Sequence, residues 1–522
     1  MRRLVMAVPL VACLGTMIGT GILSLDFGPY WDDHENFQAV KYSLENATLL
    51  PNFYDYPSVP YWLNLSATLP DLMQAIRAGY HKPGQIKAYL IQALEGGQAH
   101  DLNTRGLFLV ISSLVVVWVY LFLWEIGGSW IQALVGALIV GLSWEVNYQI
   151  RWVAPDGIMM QFAALTLLCC AKAWKGASQR WLYAAAVAAG LTFGSKYPGG
   201  LIIVPVLITA YWVRGGQNGN RKVVASWAKL LAAFGLTYLI ATPGTILQPL
   251  AFAGGITHDL VHYATGQQNY TVSRGWQHLL LLGTYLSTVM LSRFPAEAGG
   301  LFALCAFGTY EVFRRSRPLG TILVSFPLVY AAYFVTQGVM IVRNYLVLAP
   351  FLAVLAAEGV AFFWRLAKSW PWKTVVGASV GVALAINAAW LGYSSWTVHM
   401  RNSMELQDDR AAANYMRLHR DETFLVSAEV RMELISTGIG LPANVTPDPA
   451  DSFSSVLLYM HEDPNYKLWP ANHPDTIQTW FGPWEVNLNY YPSWQGQDRM
   501  VVIRKETAKS LGIIPEITRP GG

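Results

Sequence analysis

Residues 106–126, GLFLVISSLVVVWVYLFLWEI, decide the class of this fold. A helix needs about 20 mostly apolar residues to cross the hydrocarbon core of a bilayer, and this stretch reaches that length with Glu125 as its one charged side chain. The whole chain is 53% hydrophobic and 13% charged, whereas soluble domains are typically about 25% charged. These values predict repeated membrane crossings. A net charge of +4 is too small to indicate a nucleic acid partner.

Ten further apolar stretches predict an α-helical polytopic membrane protein with about eleven transmembrane helices. The first stretch is longer than the apolar part of a signal peptide and no cleavage site follows it, so we expect a retained helix. The expected spans are 4–25, 106–126, 129–149, 157–173, 181–195, 199–213, 226–247, 298–313, 318–337, 345–364 and 374–394. All four cysteines fall inside these stretches, where packed, unreactive thiols are expected.

Lysine and arginine in the connections set the orientation, because both are enriched in cytoplasmic loops. An internal N-terminus puts these residues on the cytoplasmic side: Arg2, Arg3, Lys172, Lys175, Arg180, Arg214, Arg221, Lys222, Lys229, Arg314, Arg315, Arg317, Arg365, Lys368 and Lys373. Counting residues 277–292 as another span would move the arginines at 314–317 outside, so we expect that segment to lie at the outer interface. The sequence predicts a multi-pass inner (plasma) membrane protein of the cell envelope.

Two domains are expected. Residues 1–394 would form the membrane module, including an external loop, 26–105. Apolar residues at helical spacing within that loop predict amphipathic helices at 35–48 and 84–95. Residues 395–522 are more polar, and a helix at 407–420 with strands at 423–430 and 500–504 predicts a small extracytoplasmic α/β domain.

Carboxylates gather at two places on the predicted outer side. Residues 30–37, YWDDHENF, contain Asp32, Asp33, His34 and Glu35, which form either a dense group of proton acceptors or a solvated helix N-terminus, where carboxylates are favoured. The turn between the third and fourth spans contains Arg151, Pro155 and Asp156. There Asp156 either caps the following helix or belongs to a site, and Arg151 is expected to pair with the nearby Glu145.

Two isolated cations lie on the side that the charge rule disfavours. Lys196 lies in a turn between Gly194 and Pro198; it either extends to the interface or presents its ammonium to a ligand. Arg343 precedes Asn344 and Tyr345, and a planar guanidinium is suited to phosphate oxygens. In 258–262, two histidines four residues apart suggest a metal, but no matching third histidine appears, so we do not favour this interpretation.

These residues resemble the motifs of the GT-C superfold of polyprenyl-phosphate-dependent glycosyltransferases, especially bacterial relatives of protein O-mannosyltransferases and of the lipid A aminoarabinose transferase. Asp32–Glu35 correspond to the family's acidic motif. Residues 56–62, YPSVPYW, correspond to a Lys-Pro-Pro-x-x-Tyr-Trp stretch in which Tyr56 replaces the lysine. The remaining matches, in order, are Arg105-Gly106-Leu107, Arg151 through Pro155-Asp156, Gly194 through Pro198, and Arg343-Asn344-Tyr345 followed by Pro350.

The resemblance implies transfer of a sugar from a polyprenyl-phosphate carrier to an acceptor at the outer face of the membrane, with inversion. Asp33, or else Asp32 or Asp156, would be the general base. Lys196 and Arg343 would bind the phosphate. The other expected substrate contacts are Tyr345, His34, Glu35 and Arg151.

Expected partners are the lipid-linked sugar, a lipid, glycan or protein acceptor, and membrane lipids, but no nucleic acid. No cofactor is required, and a divalent metal is compatible with the sequence but not indicated by it. Two alternatives stay open: a catalytically silent relative that is a subunit of a membrane assembly, and a transporter of lipid-linked sugars.

Overall fold

The computed structural model describes residues 2–25, 31–95, 98–266, 271–436, 440–448, 450, 452–459, 476–481 and 499–510. Within these ranges, a few stretches have a described backbone only, among them 2–7, 31–35, 216–220 and 401–410. The chain forms two compact units, and the second contains the chain from Ser394 onward together with a short segment that precedes His100.

The first unit is helical. In chain order its α-helices are α1 (Arg2–Leu23), α2 (Trp31–Glu45), α3 (Val59–Ser66), α4 (Leu69–Arg77), α5 (Pro83–Glu95), α6 (Gln98–Glu125), α7 (Trp130–Gly141), α8 (Trp144–Gln149), α9 (Pro155–Gly176), α10 (Gln179–Ser195), α11 (Ile203–Ala241), α12 (Gly244–Leu247), α13 (Pro249–Thr265), α14 (Trp276–Thr288), α15 (Pro295–Arg315), α16 (Arg317–Phe334), α17 (Ala349–Leu366) and α18 (Trp370–Leu418). Short 3-10 helices, Tyr197–Ile202 and Val342–Leu348, precede α11 and α17. The unit ends within α18.

Six helical segments in the described ranges are long and apolar enough to cross a membrane: His100–Glu125, Pro155–Gly176, Tyr197–Gly215, Arg221–Ala241, Val342–Leu366 and Trp370–Met400. Two shorter apolar helices are Val8–Leu23 and Trp130–Gly141. The polytopic helical fold is confirmed, and the count of eleven spans stays a prediction. Helix α14 has 13 residues, so it is about 20 Å long and too short for a hydrocarbon core of about 30 Å.

Two of the predicted spans differ from the structure, and one predicted break between spans lies within the segment labelled α11. The third is broken after Gly141, because Ser143 caps a new helix through its side chain, which accepts a hydrogen bond from the Val146 amide. In α11 the indole of Trp227 donates to the carbonyl of Leu207 at 2.9 Å. Twenty residues of straight helix would span about 30 Å, so the chain reverses between these two residues. The last predicted span is too short, since α18 continues unbroken to Leu418.

Helices α15 and α17 are in backbone contact. A Cβ atom on Gly308 would overlap the carbonyl oxygen of Leu355, and one on Gly359 would overlap the carbonyl of Leu304. Small residues of this kind allow membrane helices to approach closely. The two glycines therefore leave no gap between these helices at that level.

The same helix pair is joined by ions where both helices end. Glu311 and Glu358 are fully buried. Glu311 is bound by Arg314 at 2.8 Å and by Arg365 at 2.9 Å, and Glu358 pairs with Arg315. Three of the basic residues of the predicted cytoplasmic side, Arg314, Arg315 and Arg365, thus lie at one end of this helix pair. On α9, α10 and α17, the basic residues of the predicted cytoplasmic side lie at one end of each helix. The start of α9, the end of α10 and the start of α17 are the other ends of these helices.

The second unit contains a five-stranded mixed sheet. Its strands are β1 (Phe424–Val426), β2 (Val445–Thr446), β3 (Ser455–Tyr459), β4 (Thr476–Phe481) and β5 (Arg499–Arg504), and its helices are α19 (Ala428–Ser436) and α20 (Lys505–Ser510). The order is β2-β1-β3-β5-β4, with β1 parallel to both neighbours and β5 antiparallel to both of its own. The predicted strand 423–430 is too long, because helix α19 begins at Ala428.

Alternate strand residues of this sheet pack on opposite faces, as the two-residue repeat of a strand requires. Leu425 and Val456 belong to one apolar cluster with Ala508 of α20, whereas Phe424 and Leu457 belong to another. The sheet is therefore covered on both faces.

Candidate active site

Asp156 lies at the centre of the site, in the first turn of α9. Pro155 occupies the first helical position, where its fixed backbone angle and missing amide are tolerated, and the N-cap is Ala154, which makes no side-chain cap. Of the two alternatives for Asp156, capping of the helix is therefore wrong. Its side chain is 1% exposed and reaches cations from two other segments of the chain.

Lys196 is the first of these cations. It has an extended backbone between the end of α10 and the Tyr197–Ile202 helix, and its side chain is 3% exposed. The ammonium donates to Oδ1 of Asp156 at 2.8 Å and to Oδ1 of Asn344 at 2.5 Å. The side chain is thus buried and paired and does not extend to the surface, so the turn presents it to the site.

Arg343 is the second cation. The guanidinium Nε lies 3.6 Å from Oδ2 of Asp156, and the guanidinium carbon is 5.9 Å from the centre of the Trp152 ring. Asn344 is fixed on both sides, because its amide donates to the Tyr263 hydroxyl at 3.0 Å and its backbone carbonyl accepts from Tyr330 at 2.7 Å. Three separate segments therefore meet at one carboxylate.

Tyr345 and Arg151, unlike Lys196 and Arg343, make their described contacts to groups other than Asp156. The Tyr345 hydroxyl lies 2.5 Å from Nε2 of His278, and the ring is fully buried. Arg151 is also fully buried, where it donates to the carbonyls of Asn147 at 3.2 Å and Ser24 at 2.6 Å. Tyr345 thus contacts a histidine side chain and Arg151 holds two backbone carbonyls, and a substrate role for either residue stays a prediction.

The expected pair of Arg151 with Glu145 is wrong. Glu145 accepts a hydrogen bond from the Tyr285 hydroxyl at 2.8 Å and another from Gln149 at 3.3 Å. The guanidinium of Arg151 lies 5.0 Å from the Trp144 ring centre and 5.1 Å from that of Tyr148. Aromatic faces and carbonyls thus take the place of the expected carboxylate.

The acidic motif lies at the start of α2. The backbone of Asp32, Asp33, His34 and Glu35 is helical, but their side chains lie outside the described residues. The next residue, Asn36, donates to the carbonyl of Val153 at 3.0 Å. This bond ties the first turns of α2 to the turn that leads into Asp156.

Residues 54–56 and helix α13 border the site; of these, the sequence singled out Tyr56, at the position of a motif lysine, but not Asp55 or the polar face of α13. The Tyr56 ring centre is 5.7 Å from the Lys196 ammonium, so this position contacts a cation, whereas a lysine here would add one. Asp55 pairs with Nδ1 of His258 at 2.7 Å. A Cβ atom on Gly255 would overlap the backbone of Tyr54, so only glycine permits this approach.

The electrostatics of α13 follow from that packing. Burial raises the pKa of Asp55, an effect that the charge of His258 opposes. Burial also raises the pKa of Asp259 to about 6, although the charge of Lys196 lowers it. The spacing 258, 259, 262 and 263 is typical of one polar helix face, and the two histidines in it also suggest a metal motif. In the described ranges, no group of three or more His, Cys, Asp or Glu side chains could hold a metal ion.

Residues 93–243, less than a third of the chain, match the family of dolichyl-phosphate-mannose-protein mannosyltransferases. No curated protein matches the sequence. Among solved structures, ArnT from Cupriavidus metallidurans in the apo state is 12% identical and covers 96% of this chain and 98% of its own, with a TM-score of 0.50. The same protein bound to undecaprenyl phosphate is 11% identical, with coverage of 95% and 97% and a TM-score of 0.49.

The oligosaccharyltransferase of Archaeoglobus fulgidus, tethered to an acceptor peptide, is 11% identical and covers 87% of this chain and 70% of its own, with a TM-score of 0.48. At these identities the likeness shows the fold alone. The chain therefore has the fold of GT-C membrane glycosyltransferases and, over residues 93–243, resembles the dolichyl-phosphate-mannose-protein mannosyltransferase family.

Proposed function

We propose that this protein transfers a sugar from a polyprenyl-phosphate carrier to an acceptor at the outer face of the membrane. The observation that carries the proposal is the buried cluster in which Asp156 holds Lys196 and Arg343 side by side. The description of the matching family, which names a dolichyl-phosphate sugar as donor, supports the same class of carrier for this chain.

The charge of the cluster suits such a donor. Two cations and one carboxylate sum to +1, and a sugar linked to a lipid through phosphate is a phosphodiester with one negative charge. Lys196 and Arg343 come already oriented by Asp156 and Asn344, so little reorganisation is needed when a phosphate arrives. Preorganised cations in a water-poor site are effective at stabilising the charge that develops on a leaving phosphate.

The proposed reaction is a single displacement with inversion. A carboxylate takes the proton of the acceptor hydroxyl while its oxygen attacks the anomeric carbon, and the carrier phosphate leaves. Asp156 is already paired with two cations, which suits a residue that positions them. Asp33 is the base candidate from the sequence, and the hydrogen bond from Asn36 to Val153 keeps the start of α2 beside the site.

The two ends of the helices support a proposed orientation. Asp156, Lys196 and Arg343 lie where α9 begins, α10 ends and α17 is entered, whereas the arginines at 314, 315 and 365 lie where α15 and α17 end. If the basic end faces the cytoplasm, the site faces the extracytoplasmic side. Labelling single cysteines introduced next to the site with a membrane-impermeant reagent in intact cells would test this orientation.

Activity can be tested with purified protein in lipid nanodiscs. Polyprenyl-phosphate mannose, glucose and aminoarabinose would be supplied with a cell-envelope extract as the source of acceptor, and release of the polyprenyl phosphate measured. We expect release with at least one donor and loss of release in Lys196→Gln. Binding of the carrier without release would favour a catalytically silent subunit, and movement of the intact donor across the bilayer would favour a transporter.

A further inference from the structure

Helix α13 presents a polar face to the cation cluster. The Tyr263 hydroxyl accepts a hydrogen bond from Asn344, whose side-chain oxygen in turn accepts from Lys196. Residues four apart on a helix are neighbours on one face, so Asp259 lies one turn before Tyr263 on that face. The carboxylate of Asp259 is therefore placed along the same side of α13 as the site.

Charge effects on α13 agree with this placement. Burial raises the pKa of Asp259 to about 6, and the charge of Lys196 opposes the rise. Burial raises the pKa of Tyr263 well above its usual value, and the charges of Asp259 and Asp156 add to the effect. Burial lowers the pKa of His262, and the charges of Lys196 and Arg343 lower it more. Asp259 is thus within electrostatic reach of the cluster.

Asp259 differs from Asp156 in what surrounds it. Asp156 is fully buried, and both of its oxygens face cations. Asp259 is half-buried, and no residue in the described part of the chain donates a hydrogen bond to it. A carboxylate that is accessible, near the cations but not paired with them can still accept a proton.

We propose that Asp259 accepts the proton of the acceptor hydroxyl, so that α13 forms the acceptor side of the site. The inference rests on the proposed function. In this step the O–H bond breaks and its proton moves to the Asp259 carboxylate, while the oxygen forms a bond to the anomeric carbon. The bond from that carbon to the phosphate oxygen breaks, and its electron pair leaves with the polyprenyl phosphate, beside Lys196 and Arg343.

Proton affinity supports this role. A general base works best when its pKa is near the operating pH, and a group with a pKa of about 6 is still roughly nine-tenths ionised at pH 7. The titratable or charged groups that interact electrostatically with Asp259 are His258 and Tyr263 on α13, Asp55, Lys196, Tyr197 and Tyr333. His262 lies on the same helix. Substituting the two histidines separately keeps their titration apart from that of Asp259.

The test compares Asp259→Asn with Asp33→Asn, which carries the competing assignment, and with Asp421→Asn, an exposed carboxylate in the second unit. Carrier release is measured with the donor panel and envelope extract over a range of pH. Binding is measured separately with an undecaprenyl methyl phosphodiester, whose single charge does not change over that range.

We expect Asp259→Asn to reduce release by about 10²–10⁴-fold while phosphodiester binding stays the same or tightens, because a negative charge near the cations is removed. Release by the wild-type protein, His258→Gln and His262→Gln should fall as the pH drops below about 6, and the residual release of Asp259→Asn should not.

Release by Asp259→Asn within threefold of the wild-type rate would overturn the assignment and leave the proposed function intact. Loss of phosphodiester binding together with release would show a structural role and would overturn it as well. A wild-type protein that neither binds the phosphodiester nor releases carrier would refute the proposed function itself.

Discussion

Replacing Asp156 by Asn should destabilise the protein and make it depend on an added anion. At an effective dielectric constant of about 20, the attraction of Asp156 is about 6 kcal/mol to Lys196 at 2.8 Å and about 5 kcal/mol to Arg343 at 3.6 Å. The cost of removing three charges from water offsets much of this. Removal of one partner from a buried pair typically costs about 3–5 kcal/mol, because the remaining charge has lost its counter-ion.

That loss is large against a usual stability of about 5–15 kcal/mol. The assay is the thermal unfolding midpoint of purified protein, followed by tryptophan fluorescence, at increasing concentrations of inorganic phosphate or undecaprenyl phosphate. The midpoint of Asp156→Asn should be lower than that of the wild-type protein and should rise more steeply with either anion, since a phosphate supplies the missing negative charge. A ligand at 100 times its Kd stabilises by about 2.7 kcal/mol.

Asp421→Asn is the control for removing a carboxylate, because Asp421 is exposed and its loss should change neither the midpoint nor the response to phosphate. The reasoning is refuted if Asp156→Asn unfolds at the wild-type midpoint and responds to phosphate as the wild-type protein does. Asp156 would then not be the counter-ion that holds the two cations together.

Three further predictions follow from single contacts. Lys196→Gln should weaken undecaprenyl phosphate binding by roughly 10–150-fold, the equivalent of about 1.5–3 kcal/mol for one hydrogen bond to a charged group, as measured by equilibrium binding. Gly255→Ala should lower stability by about 1–3 kcal/mol in thermal unfolding and also slow carrier release, because the added methyl group displaces Tyr54 and the site residues that follow it. Gly308→Ala should lower the unfolding midpoint by a similar free energy, since the methyl group meets the Leu355 carbonyl, but should leave carrier binding within about threefold.

The parts of the site that the sequence predicted share one property. Asp156, Lys196 and Arg343 each lie next to the end of a long apolar run, and the charge rule placed all three ends on one side of the membrane. Hydropathy and charge are local properties of the sequence, so the location of these residues at helix ends could be predicted from it. The structure brings the side chains of Lys196 and Arg343 to the carboxylate of Asp156, a contact that the sequence did not predict.

The parts that were missed depend on contacts between distant residues. Asn344 and Tyr263 are 81 positions apart, and Tyr54 donates to Gln248, 194 positions away, at 2.5 Å. No periodicity indicates such pairs. The 17-residue helix α13 also lacks a long apolar run, so hydropathy does not predict it as a membrane helix. The reversal inside α11 was predicted correctly, because basic residues interrupt the apolar sequence there.

The close approach of α15 and α17 through Gly308 and Gly359 limits the paths by which a lipid could pass between the helices. Where two helices are in backbone contact, a prenyl tail has no room to pass between them. The ion pairs of the buried Glu311 and Glu358 hold the same helix–helix interface together further along. A lipid carrier that enters or leaves laterally from the bilayer must therefore pass between other helices of the bundle.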